Sequence, residues 1–166
     1  RVAAMARKLM TITDRFIDRY PPDGGCNEGP RYWGVAAGAM FNLLEFMYVA
    51  TDGAVNIYDE PLIVAMGDYM VTANLDGLYF TNFADAPIKP RFRTGNVYHF
   101  GTRTHNALLQ DLALICQRQG QLVGEVEPLL QEDINGGDLL FHLQELFWMP
   151  GNALPKGLPR PTERYL

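Results

Sequence analysis

Apolar residues recur at helical spacing along most of this chain, and the breaks in that spacing mark its elements. Over 2–20, Met5, Leu9, Ile12 and Phe16 step by four, three and four residues. Ala6, Met10 and Ile17 widen the stripe while Arg, Lys and Asp fill the other face, which predicts an amphipathic helix. Pro21-Pro22 ends it and Asp23-Gly24-Gly25 makes a turn. A second helix is expected over 30–51. Pro30 suits its first position, because the missing N–H would go unpaired there anyway. Past the first turn its polar residues are few: Asn42, Glu45 and Thr51. A helix apolar nearly all round is buried on most sides. Ala36, Ala37, Gly38 and Ala39 make one stretch thin, so a neighbouring helix can come close, and Gly53 closes the element.

A third helix is predicted over 61–75, with Asp59-Glu60 before Pro61 as its start signal. The aromatic stretch 78–83 is bounded by turns, and 85–96, with Pro87, Pro90 and Gly95, reads as a long loop. Leu108, Leu109, Leu112, Ile115 and Cys116 place a fourth helix over 104–119, with Gly120 as its C-cap. Leu139, Leu140, His142, Leu143 and Leu146 place another over 138–147, and a shorter one is expected at 126–131. Residues 150–161 carry four prolines and two glycines and read as an extended linker. The class is all-α, five or six sequential helices with antiparallel neighbours and no strand hairpin. No fixed repeat period is visible, which weakens a regular solenoid.

Composition narrows the picture. Apolar residues make up 48% of the 166 and charged residues 20%, which excludes intrinsic disorder. Fourteen basic against nineteen acidic side chains give a net charge of −5 with no basic run, a poor match to a duplex nucleic acid partner. No uninterrupted apolar run reaches the ~18 residues a membrane-crossing helix needs. Cys26 and Cys116 have neither disulfide-framework nor zinc spacing and read as free cysteines, Cys116 in the core. The sequence opens on Arg1 directly into a helix, so it is expected to be a piece of a longer protein.

The chemistry concentrates in Asp23-Gly24-Gly25-Cys26-Asn27-Glu28-Gly29-Pro30-Arg31-Tyr32-Trp33. Three glycines and a proline set a tight turn into a buried helix. Around that opening stand a carboxylate, an amide, a guanidinium, a phenol and an indole. Helix N-termini attract anions, and an indole with a phenol makes a platform for the apolar face of a sugar.

The pattern Asp-Gly-Gly-x-x-Glu-Gly-Pro-x-Tyr-Trp resembles the helix-opening motif of the heparinase II/III-like polysaccharide lyases. Gly67-Asp68-Tyr69, the stretch Tyr79-Phe80-Thr81-Asn82-Phe83-Ala84-Asp85 and the exit linker from Leu154 agree with it more weakly. The resemblance implies that residues 1–150 are the second half of an incomplete (α/α) toroid. It implies that 151–166 lead toward a β-sandwich domain outside this sequence. It also implies β-elimination on an acidic polysaccharide such as heparin, heparan sulfate or alginate, in a periplasmic or secreted protein. That reaction needs a neutraliser for the uronate carboxylate, a base for the C5 proton and an acid for the leaving oxygen at C4. A phenol ionises near pH ~10, so as a base it needs positive charge or hydrogen bonds nearby.

Tyr32 aligns with the family's catalytic tyrosine, acid or base, and Asn27, Glu28, Arg31, Trp33 and Asp85 are the candidate substrate contacts. The family's upstream Asn/His motif and downstream histidine cluster are absent here, so the isolated chain is expected to be inactive. No cofactor or metal ligand set is expected within it, although a metal in the β-domain is compatible with the family.

Each residue also has a plainer role. Tyr32 could pack in a first helical turn, Trp33 in the core, Glu28 against the helix dipole, and Asp85 could cap the turn before Ala86-Pro87. His99, His105 and His142 show no ligand spacing and read as structural. Lys89, Arg91, Arg93 and Arg103 form a mild basic cluster that could help hold an acidic glycan but reads first as solvated surface. Two rival functions remain. A glycoside hydrolase on a similar toroid would pair Glu28 with Asp85 or Asp68. A non-catalytic glycan-binding protein would need no catalytic Tyr32 at all.

Overall fold

The computed structural model describes residues 2–122, 143, 146–151 and 153–158. It is 58% helix and 4% strand, so the all-α class holds. The order is α1 (Val2–Ile17), α2 (Pro30–Ala50), α3 (Pro61–Ala73), β1 (Asn74–Asp76), β2 (Tyr79–Phe80), α4 (Thr94–Arg103) and α5 (Ala107–Leu122). The expected helix at 126–131 and His142 lie outside the described residues. Leu143 and residues 146–148 are helical where described.

The core is the seam where α2, α3, α4 and α5 meet. Trp33, Phe41, Ile63, Met66, Met70, Phe80, Phe100, Leu109 and Leu112 are essentially fully buried in it. The thin stretch of α2 does admit a neighbour: Gly38 faces Asn96 of α4. The Asn96 amide then donates to Asn42 Oδ1 across the same seam at 2.8 Å. A Cβ at position 38 would fall 3.3 Å from Asn96 Oδ1, so that side chain would have to give by a few tenths of an ångström. Asn106 links α5 to α3. Its Oδ1 accepts the Leu109 N–H at 2.9 Å, capping α5. Its amide donates to Asp68 of α3 at 2.8 Å.

Three expectations change. The loop predicted over 85–96 is shorter, because α4 begins at Thr94. Two glycines, two threonines and an asparagine in ten residues give α4 little intrinsic propensity. Burial of Val97 and Phe100 stabilises it instead. Gly120 lies inside α5 rather than capping it, and a small hairpin exists where none was expected. Its register is Asn74 opposite Phe80 and Asp76 opposite Tyr79. Asn74 is fully buried, and its amide donates to the carbonyls of Gly77 and Tyr79 at 2.8 and 3.1 Å. Strands of three and two residues are too short to show alternation. A side-chain amide holds this turn, not a strand pattern.

The stripe of α1 is covered only at its end. Phe16 and Ile17 pack on the core, whereas Met5 is 66% and Ile12 52% exposed. By length and composition α2 is long and apolar enough to cross a membrane. In this fold its inner face is the core, and its one acid, Glu45, is bound within the protein. The expected linker has no regular structure over 153–158, and Arg118 donates to the Ala153 carbonyl at 2.5 Å.

Trp33 anchors α2 to α3 through its indole N–H, which donates to the Met66 carbonyl at 2.8 Å in the buried seam. Its ring meets Phe100 edge-on at 5.7 Å. Trp33→Phe is expected to cost about 1–3 kcal/mol, from the lost hydrogen bond and the space left behind. Urea unfolding measures this, and a loss near zero would contradict the anchoring role.

Candidate functional site

The site is built on the turn that opens α2. Asp23 Oδ1 accepts the Gly25 N–H at 2.9 Å and closes the turn. Gly24 has φ +72°, and its backbone lies so close to Ala65 and Met66 of α3 that no Cβ would fit. Gly29 has φ +90°, and its carbonyl accepts the N–H groups of Tyr32 and Trp33 at 3.1 and 3.3 Å. A Cβ on Gly29 would fall 2.5 Å from Ala86 Cβ and 2.7 Å from the Phe83 carbonyl. The two glycines therefore hold the turn against α3 on one side and against loop 81–93 on the other. That contact brings the Asp85 turn beside the helix opening. Asp85 itself is exposed.

The six predicted residues separate into groups. Trp33 is fully buried, with its N–H on Met66, so it is core and offers no face to a sugar. Tyr32 is half-buried and packs against the core. The Arg31 guanidinium carbon stands 5.8 Å from the Tyr32 ring centroid. Asn27 and Glu28 are exposed and line a groove of about 500 Å³ with Arg15, Arg19, Phe16 and Tyr20.

Arg31 instead lines a second groove of about 430 Å³, floored by Gly34, Gly38 and Asn42 of α2 and walled by Arg91, Phe92, Arg93 and Asn96. The sequence put Arg91 and Arg93 in one cluster with Arg103, preferring solvated surface over a glycan contact. The fold separates Arg103 from them and brings Arg31 to them across sixty residues of chain. Among the described residues, three arginines, two amides and an aromatic ring line this groove, and no carboxylate does. Guanidinium groups gathered in one groove attract anions. Arginine also matches a carboxylate by a two-pronged hydrogen bond.

No family model matches the sequence, and no curated protein matches it at a significant level. The heparinase II/III-like reading therefore rests on the residues and on this geometry.

Sequence reasoning missed a second polar cluster at the other end of α2. Glu45 is 8% exposed. Its Oε2 accepts from Tyr58 Oη at 3.0 Å and from Arg103 Nε at 2.8 Å. Its Oε1 accepts from Arg103 Nη2 at 2.6 Å. His99 Nε2 stands 3.1 Å from Oε1, in ion-pair range but off the line a hydrogen bond needs. Trp148 stacks on His99 at 4.3 Å, and the Arg103 guanidinium lies 4.1 Å from the Tyr48 ring centroid. Burial alone would raise the Glu45 pKa, but His99, Arg103 and Tyr58 outweigh it and hold the carboxyl at about 2. Burial, with Glu45 beside it, pushes the Tyr58 phenol well up. The sequence held one signal, an acid in an otherwise apolar helix, since a buried acid is rare unless paired.

Asp68, half of one proposed hydrolase pair, is bound to Asn106. Burial pushes the Tyr69 phenol up to about 12 and the Cys116 thiol to about 12. Cys116 is accordingly an inert core residue. Both cysteines are buried and free. Among the described residues no three His, Cys, Asp or Glu side chains gather around a point where a metal ion could sit.

Proposed function

We propose that this chain is the part of a polysaccharide lyase that binds a uronic-acid-containing chain and presents Tyr32 to it. The observation that carries the reading is the arginine-lined groove on α2, formed by Arg31, Arg91 and Arg93 beside the half-buried Tyr32. The groove's arginines neutralise the uronate carboxylate, which makes C5–H acidic. A base takes that proton, the electron pair becomes the C4–C5 double bond, and the C4–O bond breaks. The leaving oxygen takes up a proton. Tyr32 handles the proton at one of these two atoms, and the partner group belongs to the elements that the resemblance places outside this sequence. The exposed apolar stripe of α1 supports the toroid half of the reading, since toroid helices present such faces to neighbouring hairpins.

The test follows a uronate polysaccharide with the longer protein that carries this sequence. A lyase makes an unsaturated product that absorbs in the ultraviolet. Reducing ends without that absorbance would assign a hydrolase instead, and binding without either would leave only a glycan-binding protein. Arg91→Ala with Arg93→Ala is expected to weaken uronate binding about tenfold or more, because hydrogen bonds to charged groups contribute about 1.5–3 kcal/mol. Calorimetry on neutral and acidic oligosaccharides of equal length measures it. Equal losses for both would contradict carboxylate recognition.

A further inference from the structure

The residues of α4 that meet α2 form a polar seam. Asn96, His99 and Arg103 step by three and four residues, so they share one face of α4. Asn96 meets Asn42, and His99 and Arg103 meet Glu45. One end of this seam belongs to the arginine groove, because Asn96 and the N-cap residue Arg93 wall it. His99 lies six residues on from Arg93, about 9 Å along the helix axis.

The other end of the seam is roofed by one ring. Trp148 lies flat on His99, with centroids 4.3 Å and planes 14° apart, and meets Phe41 of α2 edge-on at 6.2 Å. It therefore bridges α2 and α4. Residues 149–151 and 153–158 continue from it along the body as a strap. Met149 is buried, and the Ala153 N–H donates to the Pro150 carbonyl at 3.1 Å. Arg118 of α5 holds the Ala153 carbonyl, and Leu158 packs on the core. Under the ring, the side chains of His99 and Glu45 are only 15% and 10% exposed. Lifting the ring would admit water to the seam and weaken the Glu45–Arg103 pair, because charges attract less in more polar surroundings. A helix with as little propensity as α4 is held by its packing, so losing these contacts would loosen its groove wall as well.

We propose that the strap and α4 open and close as one unit with Trp148 as its clamp, so that the seating of the strap controls the arginine groove. The coupling rests on this geometry, and its meaning for a polysaccharide rests on the lyase reading. Coupling of this kind is reciprocal. An unseated strap loosens the Arg93 and Asn96 wall, and a ligand held by that wall seats the strap.

The experiment follows amide hydrogen exchange by mass spectrometry in the longer protein that carries this sequence. Peptides from α4, the strap and α3 are compared in wild type, Trp148→Ala and Trp148→Phe. Trp148→Ala should speed exchange in α4 and the strap about tenfold or more and leave α3 protected, since local opening is set by the contacts that close it. Trp148→Phe, which keeps a ring on His99, should stay within about threefold of wild type. A second arm adds a uronate hexasaccharide in a Tyr32→Phe background, which keeps the ligand from being consumed. Saturation should slow exchange in α4 and in the strap by similar factors. With Trp148→Ala added, it should slow α4 alone.

If Trp148→Ala frees the strap and leaves α4 at the wild-type rate, the clamp is wrong. If α3 loses as much protection as α4, Trp148 is a general core residue and the clamp is equally wrong. If the hexasaccharide binds and slows α4 but not the strap, the clamp is wrong and the lyase reading stands. If no uronate binds, the lyase reading fails, and the exchange of α4 in Trp148→Ala still decides the clamp.

Discussion

Tyr32→Phe should lower kcat for β-elimination about 10²–10⁴-fold, the usual contribution of one positioned acid or base. The substitution removes a single oxygen. The ring of Tyr32 keeps its packing against the core, so stability should change by less than about 1 kcal/mol. Binding should also hold, because the proposed uronate contacts belong to Arg31, Arg91 and Arg93. The expected signature is a fall in kcat with Kd unchanged, the mark of an interaction made only in the transition state. The measurement is the initial rate of ultraviolet-absorbing product, with calorimetry for Kd, on the longer protein. A variant that turns over at the wild-type rate would reduce Tyr32 to a packing residue in the first turn of α2. Loss of binding together with rate would make it a binding residue.

Glu45→Ala should destabilise the fold by about 3–5 kcal/mol, the cost of breaking one side of a buried ion pair. The carboxylate accepts two hydrogen bonds from Arg103 and one from Tyr58. Without it, the Arg103 guanidinium stays wedged against Tyr48 with its fork unpaired, and the Tyr58 hydroxyl loses its acceptor. Against a typical total of about 5–15 kcal/mol, that loss is visible in any urea titration. Arg103→Ala should also destabilise, since it leaves the more deeply buried Glu45 carboxylate without two of its hydrogen bonds. The double variant should be less destabilised than the sum of the two.

The same cluster sets a pH dependence. The folded pKa of Glu45 is lowered to about 2 from 4.5. The unfolded chain therefore takes up the proton first as pH falls. The stabilisation is complete above about pH 4.5 and is lost progressively toward pH 2. In Glu45→Gln that part of the acid sensitivity should disappear. An unchanged stability profile across that window would show that the pair does not act as a unit.

Local pattern made α1, α2, α3 and α5 legible, because apolar spacing along one segment reports its own helix. The opening of α2 was legible for the same reason. Asp23, Gly24, Gly29 and Pro30 act within one turn, and they set where Asn27, Glu28, Arg31 and Tyr32 stand. The role of Trp33 was left open between core and platform, because residue type does not say which way a ring points. Its N–H on Met66 decides for the core. The helix α4 was invisible, since Thr94, Gly95, Asn96, Gly101 and Thr102 carry little propensity and only their burial against α2 and α5 makes a helix of them. The hairpin was invisible because one buried amide, that of Asn74, defines it.

The short-range chemistry of a turn into an apolar helix was therefore written in consecutive residues, and so was the all-α class. Which arginines share a groove was not. Arg91 and Arg93 join Arg31 only because loop 81–93 folds back onto Gly29. Arg103 leaves that cluster only because α4 turns it inward to Glu45. Hydrophobic periodicity encodes which face of a segment is buried. It carries no information on which distant charges meet, and here those meetings separate an arginine-lined groove from a buried ion pair.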